Sequence, residues 1–291
     1  ICLERAGALD PELAPAFDAL AELWWYLGFF GAMPPRDAFG QSIWYAVRAL
    51  ELDETLAETH ALLGMLRKEL DYNWAEVDRE VGRARQLDSD SPAVRVRYAV
   101  SALLPHGRLE EALAEIDGAL TRDPLSVFVR WWSGAIAFLA RDGERIMEEG
   151  ERMVVLEPEN PLGHWVLGMA HEHEQRLGTA LSHLEQAVHL SGRAPFFIGW
   201  MAWVLGQAGR RDEVHAILAA LGEARKERYV QPFSLALGHI GLGEWDAAFP
   251  WMQAAVDERD PLAIPIKSFK FLDPVRDDPR LTSLLRAMHL E

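Results

Sequence analysis

The sequence predicts an all-α protein built from tandem pairs of helices, and three observations support that fold class. A period of 34 or 35 residues runs through most of the chain, small residues recur at fixed places in each period, and apolar residues follow helical spacing. The repeating units are predicted to begin at Ala57, Pro92, Val127, Pro161, Pro195 and Tyr229. Each unit of such an architecture buries its apolar face against its neighbours, so no single central core is needed.

The helix boundaries follow from short turn motifs. Tripeptides such as Leu9-Asp10-Pro11 and Leu156-Glu157-Pro158 end the second helix of a unit, because proline cannot continue a helix. Turns such as Ala208-Gly209-Arg210 separate the first helix from the second. Small residues at the eighth place of each unit let the two helices approach closely, and these are Gly64, Ala99, Gly134, Gly168, Ala202 and Ala236.

The period divides residues 14–262 into seven predicted units, which are 14–56, 57–91, 92–126, 127–160, 161–194, 195–228 and 229–262. The first unit carries about nine extra residues, and Pro34 and Pro35 predict a loop between its helices. Residues 1–13 are expected to contain the second helix of a preceding unit, as in a chain cut from a longer polypeptide. Residues 263–291 lose the period and are predicted to form a cap with a short helix over about 279–290.

The period and the small-residue places resemble the tetratricopeptide repeat (TPR). This resemblance implies a right-handed superhelical solenoid of antiparallel helix pairs that binds other molecules along its surface. Stretches outside the repeat pattern, such as 29–36, 228–232 and 273–280, are similar to the C-terminal TPR region of bacterial multidomain regulators. In those proteins the repeats follow a winged-helix, serine/threonine kinase or nucleotide cyclase domain. The resemblance therefore implies a signalling role in the cytoplasm or tethered to a membrane.

Composition limits the classes of partner. The formal net charge of −16 and the pI near 5.1 argue against a groove for nucleic acid and against docking to anionic lipid. No apolar run approaches the ~20 residues needed to span a bilayer. Cys2 is the single cysteine, so no internal disulfide can form, which favours a reducing compartment and a cytoplasmic location.

No motif for catalysis, a cofactor or a metal stands out. The chain contains no Gly-x-Ser-x-Gly elbow, no phosphate-binding glycine loop and no kinase catalytic loop. On a helix, His171 and His173 lie ~200° apart, while His164 and His171 are separated by a rise of ~10.5 Å. Metal–ligand bonds of ~2.0–2.1 Å cannot bridge those gaps. We therefore expect no catalytic residue, cofactor or metal site, and we expect packing roles for His164 and His171.

The first helices of the fourth to seventh units carry a second apolar stripe, in addition to the one that packs the helices of the repeat together. The TPR resemblance places the concave wall at the second, fifth, sixth, ninth, twelfth and thirteenth places of each first helix. In the fourth to seventh units this wall supplies the candidate binding residues Phe128, Trp131, Trp132, Ala135, Phe138, Trp165, Met169, Glu172, His173, Phe196, Trp200, Trp203, Gln207 and Phe233. These helices are apolar nearly all round, whereas a surface helix is polar on one side.

Several explanations of this stripe stay open. A tight superhelix could fill its own groove, the stretch 264–271 could lie in it, or a second copy could cover it in a homodimer. Alternatively, an exposed apolar patch marks a binding site. The occupant would then be a protein or peptide with hydrophobic anchors, or an apolar small molecule oriented by Glu172, His173 and Gln207. An enzyme is the remote alternative.

Overall fold

The computed structural model describes residues 10–291 and confirms the all-α fold class, because helices are the only regular elements among them. Successive helices are joined by short turns and pack against each other as pairs. The helix expected before Asp10 and Cys2 both lie outside the described residues. Within residues 10–291, none of the helices combines the length and the apolar composition that crossing a bilayer requires.

The described residues form two compact units, which divide between Pro124 and Leu125. The described helices of the first unit are α1 (Ala14–Phe29), α2 (Pro35–Leu52), α3 (Ala57–Asp71), α4 (Trp74–Leu87), α5 (Pro92–Tyr98) and α6 (Leu109–Arg122). The loop between α1 and α2 ends at Pro35, which begins α2 at a position where the missing backbone N–H costs nothing.

The third helix pair departs from a regular α-helix. After α5 the chain widens into a π-helical turn, Ala99–Leu103, and then tightens into a 3₁₀ turn, Leu104–His106. Pro105 has no N–H to donate to the carbonyl four residues earlier, which favours this irregularity. The N–H of Leu104 donates to the carbonyl of Ala99, five residues earlier, and the carbonyl of Val100 accepts a hydrogen bond of 3.2 Å from the buried ammonium of Lys68.

The second unit contains the remaining pairs and the C-terminal cap. Its α-helices are α7 (Val127–Ala140), α8 (Gly143–Leu156), α9 (Pro161–His173), α10 (Leu177–Leu190), α11 (Pro195–Gln207), α12 (Arg211–Ala224), α13 (Pro232–Gly241), α14 (Trp245–Glu258) and α15 (Pro279–Ala287). Two 3₁₀ segments, Pro261–Lys267 and Lys270–Val275, connect α14 to α15. We call residues 261–291 the cap.

Glycines allow two first helices, α11 and α13, to pack with their backbones in contact. A Cβ atom at Gly206 would lie 2.4 Å from the carbonyl carbon of Gly241, and one at Gly241 would lie 2.4 Å from the carbonyl oxygen of Trp203. Gly199 makes a similar approach to Ser234, where the distance from a Cβ atom to the Cα atom would be 2.6 Å. Side chains at these positions would force the two helices apart.

Two polar anchors hold the cap in place. The buried carboxyl of Asp260 accepts hydrogen bonds from the backbone N–H of Phe233 at 2.9 Å and from that of Leu262 at 3.1 Å. The guanidinium of Arg276 donates to the carbonyls of Lys267 at 2.9 Å and Phe269 at 2.6 Å. The first anchor ties the start of the cap to α13, and the second fixes the turn between its 3₁₀ segments.

The Asp260 anchor predicts a dependence of stability on pH. Burial raises the pKa of Asp260 from 3.8 to about 7, although its hydrogen-bond donors act in the opposite direction. A folded pKa above the unfolded value contributes stability below pH 3.8, and that contribution is lost as the pH rises to about 7. Asp260→Asn should therefore gain stability relative to the wild type across this interval, by at most about 1.4 kcal/mol per pH unit.

Urea unfolding followed by tryptophan fluorescence at pH 4.5, 6 and 7.5 measures this difference. Asp257→Asn is the matched control, because Asp257 is exposed on α14. A constant difference between Asp260→Asn and the wild type at all three pH values would contradict the prediction.

Candidate functional site

The structure places the fourteen candidate residues in three environments. Nine are buried: Trp131, Trp132, Trp165, Met169, Glu172, Phe196, Trp200, Trp203 and Phe233. Phe128, Ala135 and Phe138 are half-buried, and His173 and Gln207 are exposed. Most of the predicted aromatic wall therefore lies in the interior of the second unit.

The cap covers part of this wall. The ring of Phe269 stacks on Phe233 at 5.7 Å between centroids and lies 6.0 Å from Trp200. The ring of Phe271 lies 5.1 Å from that of Trp203. Of the three structural explanations for the apolar stripe, packing of the stretch 264–271 thus accounts for the burial of these three residues.

A pocket remains open where the first helices α7, α9, α11 and α13 end. Its volume is about 690 Å³. The rings of Phe138, Trp203 and Phe271 form an aromatic side, in which Trp203 lies 6.1 Å from Phe138 and 5.1 Å from Phe271. Glu172 and Gln207 contribute polar groups to the lining. We call this space the helix-end pocket.

The helix-end pocket brings together five of the fourteen candidates, which are Phe138, Glu172, His173, Trp203 and Gln207. These residues stand at the ninth, twelfth and thirteenth places of three successive first helices. The last turns of those helices are adjacent in the second unit, so the five side chains meet there. The other nine candidates do not line the pocket.

Glu172 is the acidic residue in the lining of the pocket. Burial raises its pKa, while a hydrogen bond from the Gln207 side chain and the positive charge of Arg141 act in the opposite direction. Burial penalises the charged form because a carboxylate loses its hydration in the protein interior. Glu172 is therefore a partly desolvated acid that borders open space.

The lining residues that were not among the candidates include Arg141, Lys270 and Phe271. Arg141 follows the last residue of α7 in a left-handed conformation, with φ of 61°, and so falls outside the helical register. Lys270 and Phe271 come from the cap, which has no repeat register. Only the apolar character of the stretch 264–271 pointed towards Phe271.

The histidines of α9 pack around a third histidine. The ring of His183 on α10 stacks between those of His164 and His171, with centroid distances of 5.5 and 5.3 Å. Burial lowers the pKa of His164 and of His183, which favours neutral rings. Within residues 10–291, no group of three histidine, cysteine, aspartate or glutamate side chains has a geometry that could hold a metal ion.

No protein-family model matches the sequence, and no curated protein sequence matches it. Solved structures do match. A tetratricopeptide repeat protein from Parabacteroides merdae aligns with 94% of this chain and 98% of its own, at 12% identity and a TM-score of 0.54. The human IFIT1 dimer with m7Gppp-AAAA aligns over 87% of this chain and 65% of its own, at 15% identity and a TM-score of 0.59.

Yeast Tom70 aligns with 98% of this chain and 61% of its own, at 16% identity and a TM-score of 0.51. These identities are low, so the likeness concerns the fold. The structural neighbours are TPR proteins, and the fold of this chain is accordingly TPR-like.

Proposed function

We propose that this chain is a protein-interaction module and that its second unit binds a segment of a partner protein in the helix-end pocket. One observation carries the proposal. The cap covers the aromatic wall beside Trp200 and Phe233 but leaves a pocket of about 690 Å³ at the ends of four first helices. TPR-like folds generally serve as non-enzymatic interaction scaffolds, which supports a binding role. The resemblance to repeat regions of bacterial regulators supports a place in a larger signalling protein.

The pocket suits a short stretch of polypeptide. Its volume falls within the ~300–1,000 Å³ typical of ligand sites. The rings of Phe138, Trp203 and Phe271 offer an apolar surface for an anchoring side chain. Glu172 and Gln207 offer groups that can hydrogen-bond to the same segment and fix its direction.

An apolar small molecule is the second candidate, and the volume of the pocket suits it as well as it suits a peptide. The mixed lining favours a ligand that carries polar groups beside an apolar part, which a peptide provides. Thermal-shift screening against apolar metabolites, run beside a peptide library, separates the two. A set of metabolites that raises the melting temperature, together with no selected peptide, would replace the peptide proposal with a sensor.

The ring of Phe138 should contribute to binding. Peptides selected from a display library on the full chain are expected to bind Phe138→Ala at least about tenfold more weakly, a loss of about 1.4 kcal/mol. The physical reason is the loss of apolar contact area at the pocket wall. Fluorescence polarisation with labelled peptides measures the change, and circular dichroism checks the fold.

Phe128→Ala is the matched control, because Phe128 is also a half-buried phenylalanine of α7 but does not line the pocket. Its affinity for the selected peptides should equal that of the wild type. Equal losses of affinity in both variants, or an affinity that does not change in Phe138→Ala, would show that the pocket is not the binding site.

A further inference from the structure

The lining of the helix-end pocket reverses the charge balance of the chain. The sequence contains 45 acidic residues against 29 lysines and arginines, which gives a net charge of −16. The lining instead contains two such basic residues, Arg141 and Lys270, and a single acidic residue, Glu172. Both basic side chains are exposed, whereas Glu172 is buried. A molecule that enters the pocket from solvent therefore meets cations first.

A neighbouring carboxylate leaves these cations in excess. Asp273 accepts a hydrogen bond of 2.8 Å from the guanidinium of Arg276, and the guanidinium of Arg141 lies 4.0 Å from the same carboxylate. The hydrogen bond from Arg276 is the main influence that lowers the pKa of Asp273, and the charges of Lys270 and Arg141 act in the same direction. Three cations thus face two carboxylates, those of Asp273 and Glu172.

The surroundings of Glu172 reduce its negative charge further. Burial raises the pKa of Glu172, while a hydrogen bond from Gln207 and the charge of Arg141 act in the opposite direction with smaller effect. Burial favours the neutral form of a carboxyl group because that form loses less hydration. A neutral carboxyl does not repel an anion and can donate its O–H to it.

The backbone dipoles leave this balance to the side chains. The first helices α7, α9, α11 and α13 end at the pocket, where each C-terminal end carries a partial charge of about −0.5. The second helix of each pair begins three or four residues later, as at Gly143 and Trp245, with a partial charge of about +0.5. In physiological salt, exposed charges beyond the screening length of about 8 Å contribute little.

The aromatic side of the pocket supplies the second part of the recognition chemistry. The ring of Trp203 stands at 81° to that of Phe138 and at 49° to that of Phe271. Aromatic rings favour such edge-to-face and tilted contacts at centroid distances of about 4.5–7 Å, so a fourth ring can extend the cluster. Gly206 and Gly243 also line the pocket and carry no side chain, which lets a flat ring approach the backbone.

We propose that the helix-end pocket takes an aromatic side chain of the partner segment together with a carboxylate beside it. The ring packs against Phe138, Trp203 and Phe271, and the carboxylate pairs with Arg141 and Lys270. The C-terminal carboxylate of the partner and the side chain of an adjacent Asp or Glu offer the same chemistry. This inference rests on the proposed peptide binding and adds the chemical class of the anchor.

Affinity should fall as the pH rises from 5.5 to 8. A rising pH ionises Glu172, which then repels the carboxylate of the ligand. Loss of a proton from His173 would act in the same direction. The other charged groups are Arg141 after α7 and Lys270 and Asp273 in the cap, and the lining residues from α11, α13 and α14 are not ionisable.

Four labelled pentapeptide probes test the inference on the full chain by fluorescence polarisation. The reference probe is Ser-Gly-Ser-Gly-Phe with a free C-terminal carboxylate, and the second probe is its C-terminal amide. The third replaces Phe by cyclohexylalanine, which has a similar shape without an aromatic ring. The fourth, Ser-Gly-Phe-Asp-Gly amide, moves the carboxylate to a side chain.

We expect the reference probe, the fourth probe or both to bind at least about tenfold more tightly than the C-terminal amide of the reference. The cyclohexylalanine probe should bind at least about threefold more weakly than the reference. Arg141→Gln and Lys270→Gln should each reduce the preference for a carboxylate to about threefold or less and leave binding of the amide unchanged.

Arg152→Gln is the matched control, because Arg152 is an exposed arginine of α8 that pairs with Glu148 and does not line the pocket. It should retain the full preference for a carboxylate. If a pocket variant fails to fold, the comparison of the carboxylate and amide probes on the wild type at pH 5.5 and pH 8 still decides.

The outcomes separate this inference from the function beneath it. Equal affinity for the carboxylate and amide probes, or no binding of any probe up to about 1 mM, would overturn the inference. Display-selected peptides that still bind through Phe138 would then leave the proposed function intact, and their absence would overturn both. If 3-phenylpropionate binds as tightly as the peptide probes, the site belongs to a free aromatic acid instead of a partner protein.

Discussion

Gly206→Ala is expected to lower the free energy of unfolding of the second unit by about 3 kcal/mol or more. The new Cβ atom would lie 2.4, 2.6 and 2.8 Å from the carbonyl carbon, the carbonyl oxygen and the Cα atom of Gly241. All three are backbone atoms, so no side-chain rotamer can relieve the contact, and α11 and α13 must separate. Urea unfolding followed by tryptophan fluorescence measures the loss.

Gly222→Ala provides the matched control in the same unit. Gly222 lies inside α12, and a Cβ atom there would meet nothing within 4 Å. This substitution should stabilise the protein by about 0.5–1 kcal/mol, because alanine favours the helix over glycine. Similar unfolding free energies for the two variants would show that α11 and α13 do not pack backbone to backbone.

Phe269→Ala is expected to lower the free energy of unfolding by about 3–5 kcal/mol, the range for deleting a buried phenylalanine ring. The side chain of Phe269 is 3% exposed and packs against Trp200, Phe233 and Phe271. Its removal leaves a cavity and uncovers the aromatic wall to water. Urea unfolding gives the loss, and a shift of the native tryptophan emission to longer wavelength reports the exposure of Trp200.

Phe271→Ala and Val155→Ala set the scale for this result. Phe271 is half-buried, so Phe271→Ala should lower the free energy of unfolding by less than Phe269→Ala does. Val155 is 80% exposed on α8 and should change stability by less than about 0.5 kcal/mol. If Phe269→Ala lowers the free energy of unfolding no more than Val155→Ala does, the Phe269 ring of the cap does not pack against the aromatic wall.

The cap also shapes the helix-end pocket. Phe271 forms one of its walls and stacks on Phe269 with a centroid distance of 4.5 Å. The side chain that covers the inner wall and the one that borders the opening are thus two residues apart in the cap. The boundary between interior and binding surface is therefore a property of the cap as much as of the repeats.

Much of the fold could be predicted because repeat architectures depend on local patterns. The period of small residues sets where helices approach closely, and the structure shows this at Gly168, where a Cβ atom would lie 2.8 Å from Leu184 on the paired helix. Proline and glycine mark the turns through restrictions on their own backbone. The π-helical turn after Tyr98 was not predicted, because the apolar period continues through it without a visible break.

The candidate site was less predictable. Register identified Phe138, Glu172, His173, Trp203 and Gln207, but it also included Trp131 and Trp165, whose rings lie in the interior. All of these residues were assigned to the same concave face of their helices. The spacing along a helix reports which residues share a face, but it carries no information about what covers that face.

The amino-acid sequence alone determines the helix pairs, their period and the fourteen candidate residues assigned to one face of the first helices, since these follow from local backbone preferences and helical spacing. The packing of Phe269 and Phe271 against Trp200, Trp203 and Phe233 arises only in the folded second unit. The same is true of the open space beside Glu172. These features depend on contacts between residues distant in the chain, and burial and electrostatics are set by all neighbours together.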